Sequence, residues 1–213
     1  MSERQVNCPS CGAPITFRWS GAVQTTCEFC HSILVRVDLD LTKVATVADL
    51  PPDSSPIQLG TEGQFQNRAF VVVGRIIYDY EQGSWNEWHL IYNDGKSGWL
   101  SDAQLEYDLS FQTPPLSQLP MAEQLSTSTY FQWEGRKYQV TSITRAHYRG
   151  VEGELPFQYW DKYDMTFADL RTTTGDFATI DYSENPPLLF LGKPVEFDDL
   201  KFKNLREFEG WKF

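Results

Sequence analysis

Four cysteines are the residues of this sequence whose type and spacing promise chemistry. They stand as two Cys-x-x-Cys pairs, Cys8 with Cys11 and Cys27 with Cys30, and the chain has no other cysteine. A Cys-x-x-Cys turn delivers two thiolates to one side of an ion, and a second such turn closes the other side. Zn2+ takes four soft ligands in a tetrahedron, with metal–sulfur bonds of about 2.3 Å. Four protein ligands leave no position for water or substrate, which is the structural form of a zinc site and not the catalytic form. One structural Zn2+ on Cys8, Cys11, Cys27 and Cys30 is therefore expected. A rubredoxin-like iron site would use similar turns, but no second redox group accompanies these. His31, beside Cys30, is superfluous as a fifth ligand and reads as a surface residue.

A second group of residues is aromatic and acidic. Glu87 stands between Trp85 and Trp88 in "WNEW". A carboxylate in an aromatic cleft is the setting that raises a pKa for acid catalysis, and Glu152 or Glu154 could supply the partner of a glycosidase-like pair. The plainer reading has the tryptophans filling core or rim, with Glu87 pairing with Lys96 or Arg75. Exposed, Trp85, Glu87, Trp88 and Glu154 would instead form a partner-binding surface. All four cysteines are committed and only His31, His89 and His147 exist, so no Ser-His-Asp or Cys-His set can be drawn. No Gly-rich phosphate loop is present.

These residues need elements to hold them. Gly12 stands where the first cysteine turn needs positive φ, and "PITFRWS" and "AVQTT" flank a turn at Ser20-Gly21. "HSILVRVDL" alternates like a strand. Together with "CPSCGAPI" and "CEFCH" this resembles a zinc ribbon over residues 1–37. A Pro/Asp/Ser-rich linker is expected over 38–56. Residues 57–112 read as a first β unit, with Gly74 a bulge or bend and an Asp-Gly hairpin turn in "NDGKSG". A second linker spans 113–128, and a second β unit 129–213. "AFVVVGRIIYDYEQGSWNEWHLIY" and "KYQVTSITRAHYRGVEGELPFQYW" are faintly alike. The expected fold is mainly β: the ribbon, then two small β-barrel-like (SH3-like) units or one fused β-sandwich.

The bulk numbers restrict function. Aromatics make up 15% of the chain, with seven Trp and ten Tyr, which suits pleated surfaces. Net charge is −11; residues 1–37 carry +1, leaving −12 for the rest. Such a body repels phosphate backbones, so nucleic acid and anionic membranes are disfavoured partners. "MSERQVN" lacks an apolar signal-peptide core. "AFVVVG" and "PPLLFLG" fall short of the roughly 20 apolar residues that span a bilayer. A cytoplasmic protein with no transmembrane segment is expected, and in a reducing compartment paired cysteines point to metal rather than disulfides.

The stretches "VVVGRIIYDY…GSWNEWHLIYNDGKSGWL" and "VEGELPFQYW…DLRTTTGDFATIDYS" resemble the bacterial family called domain of unknown function 4178. The likeness covers about residues 55–200 and includes the element Gly153, Glu154, Leu155, Pro156 and Phe157. It implies a cytoplasmic bacterial protein, commonly led by a zinc ribbon, without established enzyme activity. It also implies links to membrane-stress proteins of the phage-shock kind and to polyamine-synthesis-like enzymes. The expected function is a non-enzymatic zinc-ribbon adaptor that binds a protein partner, any membrane association being indirect. The alternatives are a hydrolase or carbohydrate-binding protein using the Trp/Glu cluster, and a nucleic-acid-binding ribbon protein.

Overall fold

The period-two patterns emerge as strands. The computed structural model describes residues 4–37, 40–47, 50, 54–114, 116, 119–159 and 164–208. Among them the chain is mainly β, with no α-helix and short 3-10 turns at Ala122–Gln124 and Phe197–Leu200. No helix there is long and apolar enough to cross a membrane.

In the N-terminal part β1 (Arg4–Asn7) pairs with β2 (Pro14–Phe17). β3 (Gln24–Thr26), β4 (Ser32–Val37) and β5 (Asp40–Thr46) form a three-stranded antiparallel sheet. β5 occupies the start of the segment 38–56 expected to be a linker. It pairs along the length of β4 and covers an edge that would otherwise present unpaired backbone groups. Its Leu41 and Val44 each join an apolar cluster. Pro51, Pro52 and Asp53 of that segment lie outside the described residues.

The body is one antiparallel sheet of ten strands. In chain order these are β6 (Glu62–Phe65), β7 (Arg68–Tyr80), β8 (Gly83–Tyr92), β9 (Ser97–Ala103), β10 (Glu106–Gln112), β11 (Tyr130–Trp133), β12 (Arg136–Gly153), β13 (Asp164–Arg171), β14 (Phe177–Asp181) and β15 (Leu188–Pro194). Their spatial order is β11-β12-β13-β14-β15-β10-β9-β8-β7-β6, and β12 also pairs with β7. That last pairing closes eight of them, β7 to β10 and β12 to β15, into a barrel. β12 makes the closure by changing partners. Its Gln139–His147 stretch pairs with β13 and its Ala146–Gly153 stretch with β7, across a register shift between Tyr148 and Gly150. The β units expected over 57–112 and 129–213 are thus joined in a single sheet, through β12–β7 and through β10–β15.

The apolar stripe of these strands faces away from the barrel axis. Val72, Trp88, Leu90, Leu100 and Leu109 pack under Ile57, Leu200 and Phe202, so segments before β6 and after β15 cover one side. Val140, Leu170, Ile180 and Leu189 pack under Leu116, Leu119 and Leu125, so the 113–128 connection covers another. The opposite stripe lines the interior of the barrel and is largely polar and aromatic. An eight-stranded barrel is just wide enough inside for side chains or for one small ligand.

Candidate metal centre and barrel lumen

The two cysteine turns are built alike. Gly12 N–H donates to the Cys8 carbonyl and His31 N–H to the Cys27 carbonyl, at 2.8 and 2.9 Å. Cys8 N–H and Cys27 N–H donate in turn to the carbonyls of Ala13 and Ser32. Gly12 and His31 both have positive φ, 77° and 54°, where the chain reverses after the second cysteine of each pair. His31 is exposed.

The four sulfurs lie within 4.8 Å of one another, with Cys8–Cys30 at 3.7 Å and Cys11–Cys27 at 3.8 Å. A tetrahedron with bonds of about 2.3 Å has sulfur–sulfur edges of about 3.8 Å, so the residues fit one four-coordinate metal ion. Cys8 and Cys27 are buried beside Ile15, Phe17, Ala22 and Leu34.

The ribbon is docked against the barrel by the element Gly153–Phe157. Val23 N–H and Gln24 N–H donate to the Leu155 carbonyl, at 2.9 and 3.2 Å, and Leu155 N–H donates to the Gln24 carbonyl at 2.9 Å. The Glu154 carboxylate accepts from the backbone N–H of Arg18 and Trp19, at 2.6 and 2.9 Å. The Trp19 ring meets His89 edge-on, with centroids 5.2 Å apart. His89 is fully buried; its Nδ1 donates to the Glu154 carbonyl and its Nε2 accepts from Ser97 Oγ, both at 2.8 Å. Burial holds its pKa down at about 4, so the ring is neutral. The ribbon's Ile33 joins Ile76, Trp99, Leu155 and Tyr159 in one buried cluster.

The barrel encloses a cavity of about 320 Å³ to which all eight of its strands contribute. The lining runs from Trp99 and Phe157, on the ribbon side, to Gln82 in the β7–β8 turn and Glu106 at the start of β10. Among the described residues its carboxyl groups are Glu87 on β8, Glu106 and Asp108 on β10, Asp169 on β13 and Asp181 on β14, and its one cationic side chain is Arg171 on β13. Arg171 makes a bidentate ion pair with Asp108, at 2.9 and 2.8 Å, and lies over the Phe177 ring. Trp85 Nε1 donates to Glu87 at 3.0 Å, and Ser142 Oγ donates to Asp169 at 2.8 Å. Beside Glu87, Tyr78 stacks on Trp85 at 4.8 Å, and Phe167 meets both rings edge-on.

Burial pushes the Glu87 carboxyl up to about 8, helped by the charges of Asp169 and Asp108. Burial also raises Asp169 and Asp108, the latter despite its arginine partner. At neutral pH Glu87 therefore holds its proton.

Of the four residues singled out beside the cysteines, Trp85 and Glu87 line the lumen. Trp88 is fully buried in the outer cluster, where Arg75 lies over its ring, and Glu154 is 4% exposed at the ribbon joint. The structure does not bring the four to one surface. Glu152 pairs with Arg75, at 2.9 Å. Sequence reasoning missed Asp108, Asp169, Arg171 and Asp181. Their signal was present: "EYDLS", "FADLR" and "FATID" each alternate apolar with charged or hydroxyl residues.

The arrangement defines a class: a closed antiparallel barrel with a polar, aromatic lumen, one end of which is covered by a four-cysteine ribbon. Residues 58–197 match the family described as domain of unknown function DUF4178, and the chain belongs to that family. No curated protein and no solved structure matches it.

Proposed function

We propose that the chain is a small-molecule-binding protein whose ligand occupies the barrel lumen, and whose ribbon is a structural zinc module that closes one end. The observation that carries this reading is the inversion of the barrel. Burying ionisable groups costs free energy, and a chain selected for stability alone would fill such an interior with aliphatic side chains. Here the aliphatic stripe faces outward under two covering segments, while Glu87, Asp108, Asp169, Asp181 and Arg171 surround a space of about 320 Å³. That volume is at the small end of ligand pockets, which run from about 300 to 1,000 Å³. Binding is favoured over the glycosidase-like alternative because the expected partners of Glu87 are engaged elsewhere: Glu152 pairs with Arg75, and Glu154 holds the ribbon joint. The adaptor role has less support, since Trp88 and Glu154 of its expected surface are buried.

A thermal-shift screen of a metabolite library against the full chain tests the reading. One chemical class should raise the melting temperature by about 5–10 °C at roughly a hundredfold excess over its Kd. Thr179→Trp, which fills the lumen, should abolish that shift while the variant still melts cooperatively. A library without effect, or binding that persists in a folded Thr179→Trp, rejects it.

A further inference from the structure

The chemistry of the lumen walls specifies its ligand further than the presence of a cavity does. Among the described residues, Glu87, Glu106, Asp108 and Asp169 face one guanidinium of the lining, and that guanidinium is committed to Asp108. β7, β9, β12 and β15 contribute no charged side chain to the lining, so nothing from those strands offsets the imbalance. An anionic ligand would meet repulsion from Glu106 and Asp169, and the described lining offers it no free cation. The walls between the acids are aromatic. Tyr78, Trp85 and Phe167 form a packed group whose Trp85 also donates to Glu87, and Trp99 stacks with Phe157 at 5.7 Å. Carboxylates beside aromatic faces are the combination that favours organic cations, the rings attracting the charge and the acids neutralising it.

We propose that the lumen takes an organic cation: a protonated amine whose carbon skeleton lies against Tyr78, Trp85 and Phe167 and whose ammonium group faces Glu87 and Asp169. The proposal rests on the lumen reading above and adds the charge and class of the ligand. The raised proton affinity of the lumen carboxyls has a direct consequence for such binding. Glu87 feels the charges of Asp169 and Asp108, and an ammonium group is what makes its ionisation favourable. An entering ammonium therefore displaces the Glu87 proton. The groups that set this balance are Glu87, Glu106, Asp108, Asp169, Asp181 and Arg171.

The test is isothermal titration of the full chain with a panel of primary amines from propylamine to tryptamine. Each is matched by the alcohol and the carboxylate of the same skeleton. At least one amine should bind about tenfold or more tightly than its alcohol, and its carboxylate should not bind detectably. Glu87→Gln and Asp169→Asn should each weaken that amine about fivefold or more and leave the alcohol unchanged. Proton release, read from buffers of different ionisation enthalpy, should accompany the amine and disappear in Glu87→Gln. Equal or tighter binding of the alcohols or carboxylates overturns the cation proposal and leaves the lumen reading standing. The same holds if amine affinity is unchanged in both variants. No binding by any member of the panel overturns the cation proposal, and the library screen with Thr179→Trp then decides the lumen reading separately.

Discussion

Glu87 shows how the lumen marks the energetics of the fold. Its carboxyl ordinarily titrates at 4.5 and in the folded chain at about 8. Between those values the native state holds a proton that the unfolded chain has released, so stability falls as pH rises through the window and levels off above it. His89 acts in the opposite direction: its pKa drops from 6.5 to about 4, so the stability it contributes is present above 6.5 and is lost as pH falls towards 4. Towards pH 8 His89 is neutral in both states, and the slope there belongs mainly to Glu87. Glu87→Gln should flatten that slope and raise stability at pH 8 by on the order of 1–3 kcal/mol. Burial also raises Asp108 and Asp169, in the same sense as Glu87. Urea denaturation at the two pH values reads the effect, and an unchanged slope would show that water in the lumen screens the carboxyl.

At the scale of elements, the joint between β7 and the Gly153–Phe157 segment is where closeness matters most. A Cβ on Gly74 would lie 2.1 Å from the Glu154 carbonyl oxygen, and one on Gly153 would lie 2.2 Å from that of Val73. Both obstacles are backbone, held by the Glu154 N–H to Val73 carbonyl bond of 2.7 Å. Gly74→Ala should therefore cost about 2–4 kcal/mol by forcing the segment off the strand and disturbing the ribbon's dock on Leu155. A cost below about 0.5 kcal/mol in chemical denaturation, the ordinary range for a harmless surface change, would rule out that tightness. The sequence made the strands legible, and Gly74 as a bend, because these are local patterns; Gly153–Phe157 stood out as a unit through the family resemblance. The sulfur site was legible for the same reason: two short spacings specify it. What no local pattern carried was the sense of the barrel. "FADLR" announces that Ala168 and Leu170 share one face and Asp169 and Arg171 the other, but an apolar face ordinarily turns inward. Here it turns outward because Leu116, Leu119 and Leu125, in a stretch that reads as linker, supply its cover. The β12–β7 closure likewise depends on residues about seventy positions apart in the chain, and pairings at that distance leave no periodic trace.

For the whole molecule, the consequence of the dock is that ribbon and barrel should not behave as independent bodies. The ribbon's own cluster is small, built around Ile15, Phe17, Ala22 and Leu34, and structural zinc contributes about 10–16 kcal/mol of apparent binding free energy in domains of this kind. Without the metal the ribbon should unfold. The barrel would then lose Ile33 from its cluster, Trp19 from the face of His89, and the two N–H donors that hold the Glu154 carboxylate. Removing the donors of a buried carboxylate is among the costlier changes a fold can suffer, at roughly 1–3 kcal/mol or more. Elemental analysis should first give one zinc per chain; stoichiometric iron with a visible absorption band would replace zinc with an electron-transfer metal. Chelation, or Cys27→Ser, should then lower the melting temperature of the barrel itself by about 5 °C or more. Hydrogen exchange should rise at Glu154 and Leu155 as well as in the ribbon. A barrel transition unmoved by chelation, with protection at Leu155 intact, would mean that the ribbon rests on the barrel without supporting it.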